Sequence, residues 1–269
     1  MKYPTELDFC LLIPCYNNYQ GLIESIRSVS YSRPFLVLVV DDGSAQPITS
    51  HMITNDVGDT MSVEILRNEK NVGITRALNK GMTWIQENTR ARYTARLDCG
   101  DLCLPQRFTE QVNFLDANHS VGLLGSWCLF VDEITSERFT YKSRGSHEVI
   151  SRDMYLKNVF MHATVMFRTD LAKKAGNYPL QFELAEDYAF FWRLMQLSRT
   201  AILEKVLVVC RLNRGGISYQ NKGKQLAARW KVVRSFATKP LLTIVAFFRI
   251  GLLFIIPKGL NLRLKKMKG

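Results

Sequence analysis

The segment Phe35-Leu-Val-Leu-Val-Val-Asp-Asp-Gly-Ser44 decides the fold class of this chain. Six apolar residues stand in a row, and two carboxylates and a glycine follow them directly. A run that is apolar on both faces is typical of a central strand in a parallel sheet. Because such sheets bind ligands outside the carboxyl ends of their strands, we expect Asp41 and Asp42 to lie at a binding site. A plain Asp/Gly turn is the local alternative.

The sequence on either side of this segment alternates short apolar runs with helical patterns. Strands are predicted at residues 9–13, 62–66, 93–97, 121–131, 164–167 and 201–210, and helices at 22–29, 73–87, 105–115 and 186–197. Strands that alternate with helices indicate βαβ units and a mostly parallel sheet. Residues 134–160 are polar, aromatic and irregular, and they predict no definite element.

The charge of the chain is divided unevenly along its length. Residues 1–204 carry 21 Lys/Arg and all 24 Asp/Glu, whereas residues 205–269 carry 15 Lys/Arg and no acid, within a net charge of +12 for 269 residues. This tail contains a 16-residue apolar run, 241–256, with Arg249 in its middle. A spanning helix needs about 20 apolar residues, so an interfacial helix on acidic lipid is predicted. A core-packed terminal helix is the alternative, and the apolar run argues against nucleic acid as the partner.

Cysteine usage and the first residues predict a cytoplasmic chain. The six cysteines are scattered and form no zinc-type cluster. The opening residues Met-Lys-Tyr-Pro-Thr-Glu-Leu-Asp lack the apolar stretch of a signal peptide. We expect free thiols in a reducing compartment.

Two further acidic clusters stand at a predicted strand end and a predicted helix start. Asp98-Cys-Gly-Asp101 follows the strand at 93–97, where paired carboxylates suit a divalent cation or sugar hydroxyls. Glu186-Asp187 opens a helix, whose dipole favours an ionised carboxylate that can act as a general base. Helix capping is the structural alternative for both clusters.

Five spaced motifs together give a more specific signal than any one of them. They are Ile13-Pro-Cys-Tyr-Asn17, Val40-Asp-Asp-Gly-Ser44, Asn71-Val-Gly-Ile-Thr-Arg-Ala-Leu-Asn79, Ala95-Arg-Leu-Asp-Cys-Gly-Asp101 with Leu104-Pro-Gln-Arg-Phe108, and Glu186-Asp187 with Trp192-Arg193. In this order they resemble the family 2 glycosyltransferases, which are inverting enzymes of the GT-A fold, over residues 8–218. The resemblance implies a nucleotide-sugar-binding αβα sandwich, which we assign to residues 1–220. The tail lies outside the resemblance, and its composition predicts a helical membrane-associating segment over 221–269.

The resemblance also implies roles for individual residues. The nucleotide-sugar site would comprise Pro14, Tyr16, Asp41, Asp42, Asn71, Gly73, Arg76, Asp98, Arg211 and Arg214. Asp187 would be the base that deprotonates the acceptor hydroxyl. Asp98 falls on the Asp-x-Asp motif that binds the ribose, the diphosphate and a Mn²⁺ or Mg²⁺ ion.

Two positions depart from the family pattern. Gly100 stands where the second Asp of the metal motif is usual, and Asn213 stands where many members carry a His. We therefore expect either that Asp101 takes over the cation with Asp98, or that Arg211 and Arg214 neutralise the departing diphosphate. His119, His147 and His162 match no catalytic position, while Trp127 and Tyr141 are weak candidates for the acceptor site.

These inferences predict a glycosyltransferase for surface-polysaccharide or lipopolysaccharide synthesis. It would move one sugar from a nucleotide-sugar, with a UDP-sugar expected, to a lipid-linked or cell-surface glycan. It would lie on the inner face of the cytoplasmic membrane. The alternative is a catalytically inactive nucleotide-sugar-binding scaffold at the membrane.

Overall fold

The computed structural model describes residues 2–3, 5–58, 61–212 and 222–255. The strands are β1 (Glu6–Cys15), β2 (Phe35–Asp41), β3 (Val63–Arg67), β4 (Arg90–Arg96), β5 (Leu102–Cys103), β6 (Val121–Val131), β7 (Arg138–Tyr141), β8 (Met166–Arg168) and β9 (Arg199–Arg211). The helices are α1 (Tyr19–Arg27), α2 (Ser50–Val57), α3 (Ile74–Asn88), α4 (Arg107–Ala117), α5 (His147–Asp153), α6 (Thr169–Ala175), α7 (Glu186–Leu197), α8 (Lys222–Phe236) and α9 (Pro240–Ile255). Two 3-10 turns cover His162–Thr164 and Leu180–Phe182.

A single mixed sheet organises the chain, in the order β3-β2-β1-β4-β8-β6-β9-β5, with β7 paired to β6. β1 runs parallel to β2 and β4, and β2 runs parallel to β3. β8 is antiparallel to both β4 and β6, and the long β6 and β9 are parallel to each other. The predicted parallel sheet is therefore confirmed for its first four strands. Beyond β4 the sheet is mixed, because β5, β7 and β8 pair antiparallel with their neighbours while β6 and β9 are parallel.

The apolar run of β2 is buried because helices cover both faces of the sheet. Leu36, Leu38 and Val40 point into the core layer beneath α3 and α7, while Val37 and Val39 point into the layer beneath α1 and α4. Alternate strand residues face opposite sides, so a strand that is covered on both faces needs apolar residues at every position. This is the αβα arrangement that the sequence predicts.

The predicted strand at 164–167 begins later than expected. Thr164 closes a 3-10 turn, in which its N–H and hydroxyl both donate to the carbonyl of Met161, at 2.9 Å each. β8 then starts at Met166. Residues 134–160, which had predicted no definite element, contain the edge strand β7 and the short helix α5.

The tail packs onto the α/β body through one face of each of its helices. α8 buries Leu226, Val232 and Val233, and the ring of Phe236 stacks on Trp192 of α7, with centroids 6.3 Å apart. α9 buries Ala246 and Ile250 against α8. The alternative of a core-packed tail is thus confirmed for these inner faces.

The outer face of α9 carries a stripe of exposed apolar side chains: Leu241, Ile244, Val245, Phe248 and Leu252. Their spacing puts them on one side of the helix. Among the described residues, no helix is long and apolar enough to cross a membrane.

Candidate active site

The predicted site residues of the N-terminal half lie at one edge of the sheet. β1, β2 and β4 run parallel, so their carboxyl ends point the same way. Tyr16 follows β1, Asp42 follows β2, and Asp98 follows β4. This is the edge at which open α/β sheets bind their ligands.

Asp41 is a buried carboxylate that holds two strands and a loop together. It accepts hydrogen bonds from the backbone N–H of Ser44 at 2.9 Å and of Ile48 at 3.3 Å, and it pairs with the Arg67 guanidinium on β3. Burial alone would raise the pKa of Asp41, but the hydrogen bonds from these groups outweigh it and hold the pKa below its ordinary value. The carboxylate is therefore ionised, and it holds the chain after β2 and the end of β3 in place.

Asp42 connects the end of β2 to the start of α3. Its carboxylate accepts the backbone N–H groups of Val72 and Gly73, each at 3.0 Å, and the side-chain amide of Asn68 at 2.8 Å. Gly73 is the N-terminal cap of α3, with φ +90°. The sequence-predicted loop around Asn71 and Gly73 is thus fixed to Asp42 by its own backbone.

The other predicted donor residues differ in exposure. Pro14 is buried in β1, while Tyr16 stands 49% exposed at the edge. Asn71 and Arg76 are exposed at the start of α3. Arg211 ends β9 and is paired with Glu24 and Glu133. Arg214 and Asn213 lie outside the described residues.

Asp98 and Asp101 occupy different environments. The Asp98 side chain is 48% exposed and accepts a hydrogen bond from Arg96 Nη2 at 2.7 Å. Asp101 is buried, and its carboxylate accepts the backbone N–H of Arg211 at 2.9 Å. Burial and the charge of Asp98 raise the pKa of Asp101 to about 7.

The side chains at this edge could ligate a metal ion only if the substrate supplied most of its ligands. Within the described part of the chain, no group of three or more His, Cys, Asp or Glu side chains could hold a metal ion. One exposed carboxylate, Asp98, is nevertheless available. Mg²⁺ is commonly held by one or two carboxylates together with substrate phosphates and water.

A buried arginine connects Asp98 to the interior. Arg96 is fully buried and donates to the carbonyls of Leu12 and Leu97 as well as to Asp98. Its Nε also donates to His162 Nε2 at 3.2 Å, and the hydroxyl of Tyr178 lies 3.0 Å from the same nitrogen. Burial and the Arg96 charge lower the pKa of His162 to about 3, so this ring is neutral and acts as an acceptor.

Asp187 lies in the first turn of α7, behind this network. Its Oδ2 accepts a hydrogen bond from the Asn158 side-chain amide at 2.9 Å, and its Oδ1 accepts the backbone N–H of Tyr188 at 2.7 Å. Burial raises the pKa of Asp187, and the charge of Asp98 adds to the rise, while Arg229 on α8 opposes it. Asp98 and Asp187, 89 residues apart in the sequence, therefore share one electrostatic environment.

Glu186 precedes the candidate base and is almost fully buried. Burial and the charge of Asp187 raise the pKa of Glu186 to about 7. Its Oε2 has no hydrogen-bond partner among the described residues. A buried, unpartnered carboxylate oxygen at a site is unusual, because such groups are nearly always hydrogen-bonded.

The remaining histidine and aromatic candidates lie in different surroundings, and Tyr141 is the one that lies near a partner of Asp187. His147 accepts the backbone N–H of Thr200 at 3.1 Å, and His119 is exposed beyond α4. Trp127 donates to the carbonyl of Ser143 at 2.8 Å. The hydroxyl of Tyr141 lies 3.4 Å from the carbonyl of Asn158, the residue that binds Asp187.

Comparison with known proteins identifies the family. The model of the family described as Glycosyl transferase family 2 matches residues 10–176, which is more than half of the chain. The chain belongs to glycosyltransferase family 2. The resemblance carried by the five sequence motifs is thereby confirmed.

Similar proteins cover most of this family 2 enzyme. The amylovoran biosynthesis glycosyltransferase AmsE of Erwinia amylovora is 29% identical over 258 residues, which are 92% of this chain and 91% of that protein. The UDP-Gal:alpha-D-GlcNAc-diphosphoundecaprenol beta-1,3-galactosyltransferase of Escherichia coli is 26% identical over 211 residues, 74% of this chain and 73% of that protein.

Solved structures share the fold at low sequence identity. TarS of S. aureus (residues 1–349) in complex with UDP-GlcNAc superposes with a TM-score of 0.69 at 18% identity, covering 90% of this chain and 72% of that one. The mannosyltransferase PcManGT of Pyrobaculum calidifontis, in complex with GDP-Man and Mn²⁺, gives 0.62 at 13% identity, with 93% and 70% covered. These similarities confirm the α/β fold of the GT-A type.

Sequence reasoning missed three residues that the structure brings to Asp187 and Asp98. Asn158 lies in the stretch that predicted no definite element, and His162 had matched no family position. Arg229 belongs to the tail, which had been treated as a separate segment. The sequence offers one signal for Asn158, which is its position within the polar, aromatic stretch 134–160.

The loop geometry at Asp42 generates a stability prediction. Gly43 has φ +74°, and a Cβ there would lie 2.3 Å from the backbone carbonyl carbon of Lys70. Gly58 has φ +81°, but a Cβ there would meet no atom of the described residues within 4 Å. Gly58 combines φ +81° with ψ 178°, so Gly58→Ala should cost about 1–3 kcal/mol through backbone strain alone, and Gly43→Ala should lower the melting temperature at least twice as far.

Thermal unfolding of the two variants beside the unsubstituted protein measures the difference. Equal losses for Gly43→Ala and Gly58→Ala would contradict the close packing of the Lys70–Asn71 backbone against Gly43.

Proposed function

We propose that this enzyme is an inverting glycosyltransferase that moves one sugar from a nucleotide-sugar to a hydroxyl of a lipid-linked or cell-surface glycan. The observation that carries the proposal is the environment of Asp187. Its carboxylate is oriented by Asn158 at the start of α7 and interacts with Asp98 at the donor edge. The relatives named above, in amylovoran synthesis and in galactosyl transfer to a diphosphoundecaprenol-linked sugar, support this class of substrate.

Asp187 acts as the general base in this mechanism. The acceptor O–H gives its proton to the Asp187 carboxylate, and the oxygen forms a bond to the anomeric carbon. The bond from that carbon to the phosphate oxygen breaks at the same time, and the nucleoside diphosphate leaves with the electron pair. Because this is a single displacement, the anomeric configuration inverts. A raised pKa makes Asp187 a stronger base than an ordinary carboxylate.

The donor side would be formed by the edge around Asp98. Tyr16, the Asp41/Asp42 loop, and Asn71 and Arg76 at the start of α3 surround the expected position of the nucleotide. A UDP-sugar is the proposed donor, supported by the UDP-GlcNAc bound to a structural neighbour. Asp98 would hold a Mn²⁺ or Mg²⁺ ion, which supplies positive charge at the diphosphate when bound.

The buried network behind Asp98 supports this placement. Arg96 holds Asp98 in position from the interior, and the neutral His162 accepts from Arg96 without adding charge. Asp101 holds the end of β9 by accepting the backbone N–H of Arg211. Asp101 is therefore a positioning residue in this scheme, and the cation is assigned to Asp98 alone.

A catalytically inactive scaffold is the second candidate. Gly100 and Asn213, which depart from the family pattern, favour it. Against it stand the ion pairing that keeps Asp98 in position and the side-chain amide that orients Asp187. A nucleotide-sugar-binding scaffold could use Asp98, but it would not need an oriented Asp187.

We also propose that the tail holds the enzyme on the acidic inner face of the cytoplasmic membrane. The exposed stripe of α9 would enter the interfacial layer of the lipid. Arg249 is exposed on the same helix, and residues 205–269 carry 15 cationic and no acidic side chains. An apolar face flanked by cations is complementary to anionic lipid.

The base assignment predicts a specific pH dependence. Because the carboxylate must be ionised, kcat/KM should rise with pH through the raised pKa of Asp187 and then level off. Asn158→Ala removes a donor that stabilises the ionised form, so the rise should move to higher pH. The exposed Asn55→Ala on α2 is the control and should leave the profile unchanged.

Asp187→Asn completes this test. UDP release from UDP-sugars in the presence of a GlcNAc-diphospho-lipid acceptor should fall about 10²–10⁴-fold, while UDP affinity measured by calorimetry stays the same. Undiminished turnover of Asp187→Asn, or a pH profile insensitive to Asn158→Ala, would contradict the assignment. Absence of turnover in the unsubstituted protein with intact UDP binding would favour the scaffold.

Metal removal tests the role of Asp98. UDP should bind at least tenfold more tightly with Mn²⁺ than with excess chelator, and Asp98→Asn should abolish the difference. Asp170→Asn, an exposed carboxylate on α6, serves as the control. Calorimetry that gives equal UDP affinity in Mn²⁺ and in chelator would refute a cation at Asp98.

Membrane association depends on the outer face of α9. Removing two large apolar side chains forfeits about 1.5–3 kcal/mol for each one that is buried, so Ile244→Ser/Phe248→Ser should weaken vesicle binding at least tenfold. Ile134→Ser/Leu197→Ser removes two equally exposed apolar side chains elsewhere. Co-sedimentation with phosphatidylglycerol-containing vesicles measures the effect. Binding that survives in the α9 variant, or is absent in the unsubstituted protein, would rule out this surface.

A further inference from the structure

A cavity of about 400 Å³ opens between the end of β7 and α5. Its walls come from the chain that follows β7, from α5, and from the chain just after α5. The lining residues are Lys142, Ser143, Arg144, Ile150, Arg152, Asp153, Lys157 and Val159. The volume lies within the range of small-molecule sites.

The cavity is strongly cationic within an acidic body. Four of its lining side chains are Lys or Arg and one is acidic, whereas residues 1–204 as a whole carry an excess of three acids. The acid, Asp153, already pairs with Arg152 at 3.0 Å. Lysine and arginine that converge on one concave surface form a site for a phosphate-bearing ligand.

The cavity and the candidate base are connected by one short stretch of chain. Lys157 and Val159 line it, and Asn158 between them donates to Asp187. The ammonium of Lys157 stands 4.9 Å from the ring centroid of Tyr141, whose hydroxyl meets the carbonyl of Asn158. The residue that orients Asp187 thus stands between two residues that line the cavity.

The tail helices bring more positive charge and an apolar surface to the same place. Arg229 of α8 lowers the pKa values of both Asp187 and Tyr141 in opposition to burial, and Arg249 of α9 acts on Tyr141 in the same way. The connection between α8 and α9 is fixed beside α5, because the backbone N–H groups of Thr238 and Lys239 donate to the Tyr155 hydroxyl at 3.1 Å each. The start of α9 is thus held next to the chain that follows α5, and residues of that chain line the cavity.

We propose that this cavity binds the diphosphate group of a lipid carrier to which the acceptor sugar is attached. Three features of the protein would each contact one part of such a molecule, which consists of a lipid chain, a diphosphate and a sugar. The apolar stripe of α9 faces the lipid chain, the cavity cations other than the Asp153-paired Arg152 hold the diphosphate, and Asp187 meets the sugar hydroxyl. The inference rests on the proposed function for its identification of the acceptor, but the cavity's own chemistry is testable apart from catalysis.

Binding of farnesyl diphosphate, inorganic pyrophosphate and farnesol to the full chain tests the proposal by calorimetry. Saturating UDP is present throughout to fill the donor site. The variant Lys142→Ala/Arg144→Ala removes two exposed cations of the cavity. The control Lys173→Ala/Lys174→Ala removes two exposed cations of α6, and melting temperatures confirm that both variants fold.

Farnesyl diphosphate should bind at least tenfold more tightly than either farnesol or pyrophosphate. The cavity variant should weaken farnesyl diphosphate binding at least tenfold, and the α6 control should match the unsubstituted protein. Farnesyl diphosphate and pyrophosphate could instead bind equally tightly, with both affinities lost in the cavity variant. The ligand would then be a free diphosphate, and the proposed contact with a lipid carrier would be wrong.

Two results would overturn the site itself. These are a lack of farnesyl diphosphate binding to the unsubstituted protein, and full binding to the cavity variant. UDP affinity is measured in a separate titration of each protein. A protein that binds farnesyl diphosphate but no UDP would contradict the proposed function while leaving the cavity assignment in place.

Discussion

The two carboxylates at the end of β2 are the constraint on which the donor edge depends. Asp41 is buried among backbone amides and the Arg67 guanidinium, and Asp42 holds the backbone at the start of α3. A buried charge without partners would greatly destabilise the fold. The backbone around Ser44 and Gly73 is therefore held where its N–H groups reach these carboxylates. The close passage of the Lys70–Asn71 backbone against Gly43 follows from the same arrangement. Tyr16 and Asp98 then stand on a rigid edge.

The surroundings of Asp187 depend on contacts between segments that are far apart in the sequence. Arg96 is buried in β4 and connects Asp98 to His162 and, through His162, to Tyr178. Asn158 orients Asp187 from the connection after α5, and Arg229 reaches the same carboxylate from α8. The tail thus contributes a charged side chain to the surroundings of the proposed base, while the outer face of α9 is exposed.

Much of the donor half could be predicted from sequence because local pattern determines it. The continuous apolar run of β2 requires burial on both faces, and acidic residues directly after parallel strands must meet at one edge. The mixed half of the sheet could not be predicted, because the antiparallel placement of β8 between β4 and β6 depends on pairing between distant segments. His162 was set aside for the same reason: its partner Arg96 lies 66 residues away.

The tail was only half predictable. Its composition indicated a surface helix, whereas packing of Val232, Val233 and Ala246 makes its inner face part of the core. Hydrophobic spacing alone does not tell which apolar face meets protein and which is left exposed. The effect of the Arg229 charge on Asp187 follows from that packing and has no local signature in the sequence.

A crystal structure of the enzyme with a bound UDP-sugar would show whether the donor lies at this edge of the sheet. We predict the diphosphate beside Asp98 at the carboxyl ends of β1, β2 and β4. We also predict that the anomeric carbon is open to attack from the side on which Asp187 and the cationic cavity lie. A nucleotide bound away from this edge, or an Asp187 carboxylate on the same side of the sugar as the diphosphate, would contradict these predictions.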